Sequence, residues 1–393
     1  MYSIALLTLA LGQSTLTKPV EHPFHMTDEA MIVDAKVNGK DASFMFDTGY
    51  SGVIIISPSV NIGKPSGTVT LRDFVGTMEA QNVSIKKLEL GPLNVATKDM
   101  VATQFDQGNM SLSYGVHCDG IMGLSAVINY VTEINFQNKK FIFHPKNVDI
   151  TKRKPDNVKT FLCRLLPTGG DSMEMRVELA PGKKTTLALD TGNAFFATTH
   201  RDVLEDHGLW PVGKKAMFPT SAGVASGSVE SFYMYMKDVN IYGVPVQESV
   251  WSIIDLPTSD ANHGGTVGFQ FLKNFNITID MERRYVWLER FTDSVNYMPW
   301  ADVGIAAGTH PERKRVTIFQ VIKGSPADKA GLKFGDDILS INGEDPELLS
   351  WRKLSDMFKG KVGTTLKLTT SRNGVVTDHE LKREYLINNA PTN

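Results

Sequence analysis

An internal repeat constrains this chain more than any other feature. Asp47-Thr48-Gly49 recurs as Asp190-Thr191-Gly192, and each copy ends an apolar run: Phe44-Met45-Phe46 in the first, Leu187-Ala188-Leu189 in the second. The offset from 47 to 190 is 143 residues, and Gly39-Lys40 lies the same distance from Gly182-Lys183. Further on, Gly120-Ile121-Met122-Gly123-Leu124 recurs 145 residues later as Gly265-Thr266-Val267-Gly268-Phe269. Each copy is followed by a β-rich segment: Ile134-Asn135-Phe136 with Phe141-Ile142-Phe143, then Ile277-Thr278-Ile279 with Tyr285-Val286-Trp287-Leu288. In the second of these, Glu282-Arg283-Arg284 reads as a hairpin turn. A repeat of this length calls for two similar half-structures, each with a strand that runs into an Asp-Thr-Gly turn.

A single Asp-Thr-Gly is only a strand entering a turn, because Asp and Gly favour turns for local backbone reasons. Two copies at one offset, each with a matching Gly-apolar-apolar-Gly, suggest shared chemistry. Carboxylates from two half-structures can meet across a pseudo-two-fold axis, share one proton and act as acid and base together. Over residues 20–292 the chain resembles the pepsin/retropepsin-type aspartic peptidases in their two-lobed, single-chain form. The apolar-apolar-Asp-Thr-Gly runs and Asp119-Gly120-Ile121-Met122-Gly123-Leu124 carry the resemblance, and Val37-Asn38-Gly39-Lys40 is closer to the compact bacterial branch.

The resemblance implies a mainly β fold of two pseudo-symmetric aspartic-protease β-lobes, at 20–150 and 160–292. It implies an aspartic endopeptidase that hydrolyses peptide bonds in protein substrates with a water activated between Asp47 and Asp190. Like charges in one site would raise one pKa, so the pair would titrate as a unit. Thr48 and Thr191 would stiffen the two loops across the lobe junction. Gly49 and Gly192 would allow close backbone approach. A flap is expected over residues 71–77, with Phe74, Val75 and Gly76 near its tip, and a partner hairpin near Gly223 to Gly227. Tyr50 and Asn193 depart from the small residue usual after the triplet, and Phe74 stands where many relatives carry Tyr.

From about Val303 the repeat stops. Phe319 to Ala327, then Ala330-Gly331-Leu332 and Gly335 to Gly343, resemble a PDZ domain (α+β), placed at 298–388. Ser325-Pro326-Ala327 predicts a short helix with Ser as N-cap and Pro at its first position, ended by Gly331. Asn342-Gly343 is a turn signal. Residues 351–358 have helical apolar spacing, and Arg372-Asn373-Gly374 joins two strands. The resemblance implies that Val303, Gly304 and Ile305 hold a peptide's terminal carboxylate with backbone N–H groups while the peptide adds as a strand. The alternative for this module is a spacer or dimer contact. Residues 388–393 are expected to fray.

Composition sets the remaining bounds. Net charge is −2, with 41 basic and 43 acidic residues and no basic cluster, which argues against a nucleic-acid partner. Residues 1–14 read as a secretory signal peptide, implying an exported, periplasmic or secreted protein, although the start lacks Lys and Arg. A buried or disordered start is the alternative. No other run nears the length of a membrane span. Cys118 and Cys163 are either one disulfide or two buried thiols, and neither has metal-ligand spacing. No metal or organic cofactor is implied. Two rivals to the endopeptidase remain: a non-enzymatic peptide-binding or scaffold protein on the same lobes, and a glycosidase using the paired carboxylates.

Overall fold

The computed structural model describes residues 16–390, except 73–75, 98, 107–113, 168–172, 225–226, 258–263, 311, 313 and 350. The chain is mainly β and divides into two compact units. The first comprises Met1–Val69, Glu79–Met173 and Lys273–Asp293; the second comprises Thr70–Met78, Glu174–Leu272 and Ser294–Asn393.

In the first unit, the strands Met31–Val37 and Lys40–Asp47 form a hairpin. Met31–Val37 alternates towards its end between buried and exposed residues, the pattern of a sheet face on a core. Its turn uses Asn38 and Gly39 at φ 50° and 83°, the backbone that a tight two-residue hairpin needs. The Asn38 side chain also accepts from the Lys86 and Lys87 amides and donates to the Ile62 and Ser84 carbonyls. Gly120–Gly123 then inserts parallel to Lys40–Asp47 and antiparallel to Ile54–Ile56. Ile54–Ile56 pairs in parallel with Val101–Gln104.

A second sheet of this unit runs, in order, Val20–Pro23, Lys140–His144, Val131–Asn135, Phe275–Asp280, Tyr285–Arg290 and Thr160–Arg164. The Phe275–Asp280 and Tyr285–Arg290 hairpin turns through Arg284 at φ 61°. Phe141, on Lys140–His144, packs its ring against those of Phe24, Phe46 and Phe143, with centroids 5.0–5.8 Å apart. Cys163 lies on Thr160–Arg164; it and Cys118 are buried free thiols, which selects the thiol alternative over the disulfide. Burial pushes the Cys118 thiol up to about 11 and the Cys163 thiol up to about 12, so both stay protonated at neutral pH.

Glu133 and His144 meet diagonally between two adjacent strands of this sheet at 3.2 Å, both largely shielded from water. Burial alone would raise the Glu133 pKa, but hydrogen bonds from His144 and Asn135 outweigh it and hold it below the usual carboxylate value. A depressed carboxylate stabilises the fold above its ordinary pKa, and that stability is lost as pH falls through the folded value. Glu133→Gln is therefore expected to cost about 1 kcal/mol near pH 6, from the charged hydrogen bonds it loses. The deficit should shrink in acid, and urea titrations at several pH values would show it. A deficit independent of pH would contradict the pairing.

The second unit repeats the strand pattern. Lys183–Leu189 pairs in parallel with Gly265–Val267, which pairs antiparallel with Ala197–His200, which pairs in parallel with Val244–Ile254. Each link matches one in the first unit. Pro219–Val224 pairs with the start of Gly227–Ile241, so a hairpin forms where the partner of the flap was expected.

The C-terminal module of this unit is a five-stranded antiparallel sheet in chain order: Ile305–Thr309, Val316–Val321, Asp337–Ile341, Thr365–Arg372 and Val375–Lys382. The turn chemistry read from sequence is present. Ser325 caps the helix Pro326–Lys329 by accepting from the Asp328 amide at 3.3 Å, and Gly331 leaves it at φ 80°. The helix Trp351–Phe358 buries Leu354 and Phe358 in a core with Ile305, Ile318, Leu366 and Leu368. Fraying after residue 387 is not observed at Asn388. It is buried, its main chain bonds to Tyr233 and Tyr235, and its side chain accepts from the Met217 amide at 2.7 Å. A residue whose main chain and side chain both find partners is held in place despite its terminal position.

Candidate functional site

The two Asp-Thr-Gly turns are built alike. Asp47 Oδ1 accepts from the amides of Gly49 at 2.8 Å and Tyr50 at 3.1 Å. Asp190 Oδ1 accepts from Gly192 at 2.9 Å and Asn193 at 3.1 Å. Thr48 and Thr191 are buried beneath the turns. The glycine segment behind each turn grips it with three matching bonds. Gly123, Leu124 and Ser125 donate to the carbonyls of Val53, Tyr50 and Gly52; Gly268, Phe269 and Gln270 donate to those of Phe196, Asn193 and Phe195. The repeat in sequence is thus a repeat in hydrogen bonding.

The two unusual residues after the triplets have structural work. The Asn193 side chain donates to Thr198 and Thr266 at 2.9 and 2.8 Å and accepts from the Phe195 amide at 3.0 Å, tying its loop to two strands. The Tyr50 ring covers Gly52 and Gly123 so closely that a Cβ on Gly123 would come within 2.6 Å of it. Burial first, and the Asp47 charge next, push the nearby Tyr114 phenol well above its usual value. Of the expected flap residues, Phe74 and Val75 lie outside the described residues, and Gly76 immediately precedes the strand Thr77–Ser84. Asp47 belongs to the first unit and Asp190 to the second. A cavity of about 550 Å³ opens elsewhere in the first unit, lined by His22, Asp34, Asp41, Glu89 and Asp119, and no triplet residue lines it.

The C-terminal module offers a different geometry. Its strand Ile305–Thr309 ends the sheet, with the helix Trp351–Phe358 packed alongside. The loop Val303-Gly304 leads into it. Gly304 sits at φ 86°, and a Cβ there would lie 2.3 Å from the Ser325 Cβ, so both the turn and the packing demand glycine. The Gly304 carbonyl accepts from the Ile322 amide at 2.9 Å. Ile305 is therefore in a non-hydrogen-bonded pair with Val321, and its own N–H and C=O point to the open edge. One outward donor and one outward acceptor beside a helix form the start of a strand-addition groove.

The residue that the sequence reading missed is Asp302. Its Oδ1 accepts from the Gly304 amide at 2.7 Å, and the Val303 amide also supports the carboxylate. Burial raises its pKa; those amides and the charges of Lys359 and Arg383 oppose the rise. An acidic residue two positions before a loop glycine is the local signal that could have found it.

Residues 301–382 match the PDZ domain family. The carboxy-terminal processing protease CtpA of Bacillus subtilis (strain 168) is 37% identical over 84 residues, covering 21% of this chain and 18% of that protein. A probable CtpA-like serine protease of Staphylococcus haemolyticus (strain JCSC1435) is 32% identical over 81 residues, covering 21% and 16%. The chain spans less than a fifth of the length of these curated relatives. Among solved structures, an aspartic proteinase from Irpex lacteus aligns over 71% of this chain and 100% of that one, with 13% identity and a TM-score of 0.46. At that level neither fold nor activity transfers.

These relatives overturn the expectation of an aspartic, pepsin-like endopeptidase. The proteins matched by sequence are carboxy-terminal processing proteases, and the staphylococcal one is named as serine-type, a different catalytic class. The bonds to Asp47 and Asp190 described above are those any Asp-x-Gly turn makes, so they mark a repeated turn and carry no acid–base assignment.

Proposed function

With residues 301–382 as a PDZ domain, we propose that this chain is a polypeptide-binding protein of the proteolytic machinery, in which that domain captures extended segments of protein substrates. The observation that carries the reading is the outward-facing N–H and C=O of Ile305 on an edge strand flanked by the helix Trp351–Phe358. Main-chain pairing supplies affinity in such a groove, and apolar side chains facing the domain core supply preference. The curated relatives, named for carboxy-terminal processing, support the proteolytic setting. The apolar start at residues 4–11 supports export.

The test is binding of the full chain to an array of short peptides with apolar side chains at alternate positions. Gly304→Ala, which collides with Ser325, is expected to weaken capture by about tenfold or more, as loss of a few main-chain contacts would. Thermal melting would confirm that the variant is folded. An array that shows no binder, or binders indifferent to a folded Gly304→Ala, would contradict the reading.

A further inference from the structure

A PDZ groove that anchors a chain end needs free loop amides where the ligand's carboxylate arrives. In this chain the central donor of that loop is engaged. The Gly304 amide donates to Asp302 Oδ1 at 2.7 Å, and the Val303 amide supports the same carboxylate. Each backbone N–H makes one strong bond, so a second carboxylate would have to displace the first.

Asp302 is poorly placed to leave. Its own N–H donates to the Glu384 carbonyl at 2.9 Å, and its carbonyl accepts from the Glu384 amide at 3.0 Å, so its main chain is pinned. The charges of Lys359 and Arg383 act on its side chain from beyond ion-pair distance. Arg383 is itself buried, and its guanidinium is held by the carbonyls of Met357 and Phe358 at the end of the groove helix. From the other side, the Asp302 charge reaches the half-buried Tyr233 on the adjoining sheet. An added anion at the Gly304 amide would meet the Asp302 carboxylate at close range in a half-buried site, where like charges repel.

The rest of the groove is open. The N–H and C=O of Ile305 still face outward, and among the described residues Ile305–Thr309 has no strand on that side. We propose that Asp302 stands in for the ligand's terminal carboxylate, so that this PDZ domain selects extended internal segments of polypeptides and gains nothing from a free chain end. This rests on the peptide-binding reading above and names its ligand class.

The experiment uses the full chain and an array of short peptides, each made twice, once with a free terminal carboxylate and once with a terminal amide. The expected result is that the two forms bind within about threefold of each other, since no anchoring bond distinguishes them. Asp302→Gly frees the Gly304 amide and should create a preference of about tenfold or more for the free acid. A parent chain that already prefers the free acid by more than about threefold would overturn the proposal while leaving peptide binding intact. So would a folded Asp302→Gly chain that shows no gain. Failure of both chains to bind either form would overturn the peptide-binding reading itself. The parent comparison needs no variant, so it decides the matter even if Asp302→Gly does not fold.

Discussion

Gly120→Ala is expected to remove about 3 kcal/mol or more of stability and to leave much of the first unit unfolded, because an overpacked site that cannot relax lies at the upper end of such costs. Gly120 pairs with Phe44 on one side and Ile56 on the other, in the middle of the sheet. A Cβ placed there would lie 1.9 Å from the Ile55 carbonyl oxygen and 3.0 Å from the Ile56 Cα. Those atoms are backbone in a paired strand, so no flexible side chain can make room. Gly265, the matching residue of the second unit, has the same problem, with a Cβ 2.1 Å from the Thr198 carbonyl oxygen at φ 130°. Gly39→Ala is the contrast. Its site is open within 4 Å and only its φ of 83° resists, so about 1 kcal/mol is expected. Urea unfolding of the three variants would check the order; a Gly120→Ala chain no less stable than Gly39→Ala would refute the packing argument.

Arg372→Ala is expected to destabilise the PDZ domain by about 3 kcal/mol, the scale set by stranding a buried charge. The Asp336 side chain is only 2% exposed, whereas that of Arg372 is 45% exposed. The guanidinium grips the carboxylate at 2.6 and 2.8 Å, and the Lys333 amide adds a bond at 2.8 Å. Burial would push the Asp336 pKa up, but the Arg372 hydrogen bond and the Lys333 amide outweigh it and hold it below its usual value. That stabilisation is present above the ordinary carboxylate pKa and lost as pH falls through the folded value. Removing Arg372 leaves a buried carboxylate with one amide, whereas removing Asp336 leaves an arginine that can turn to water. Asp336→Ala should therefore cost less, about 1–2 kcal/mol. Amide exchange over residues 301–382 would show both effects, and the reverse order would contradict the burial asymmetry.

Much of the architecture was legible because it depends on local or periodic signals. Asn38-Gly39, Asn342-Gly343 and Asn373-Gly374 all take the positive φ that their turns require. Ser325-Pro326 caps a helix, and residues 351–358 form one, as capping and spacing require. The repeat was legible for the same reason: identical local sequences make identical turns, gripped by identical bonds. Its chemical meaning was not. Asp-Thr-Gly specifies a backbone turn, and its resemblance to an aspartic peptidase found no support among the curated relatives, which are carboxy-terminal processing proteases matched through the PDZ segment.

The sequence by itself determined the mainly β character, the duplicated strand-turn unit and the C-terminal PDZ domain, since each is encoded by periodicity and turn residues within short windows. Tertiary structure alone decided what distant residues do to one another. Asn388 is held because Tyr233 and Tyr235, more than a hundred residues away, offer it a carbonyl and an amide, and Asp302 is pinned because Glu384 pairs with its main chain. Those contacts join segments far apart in the chain, and their strength depends on burial and on the partners' positions, which no local pattern records.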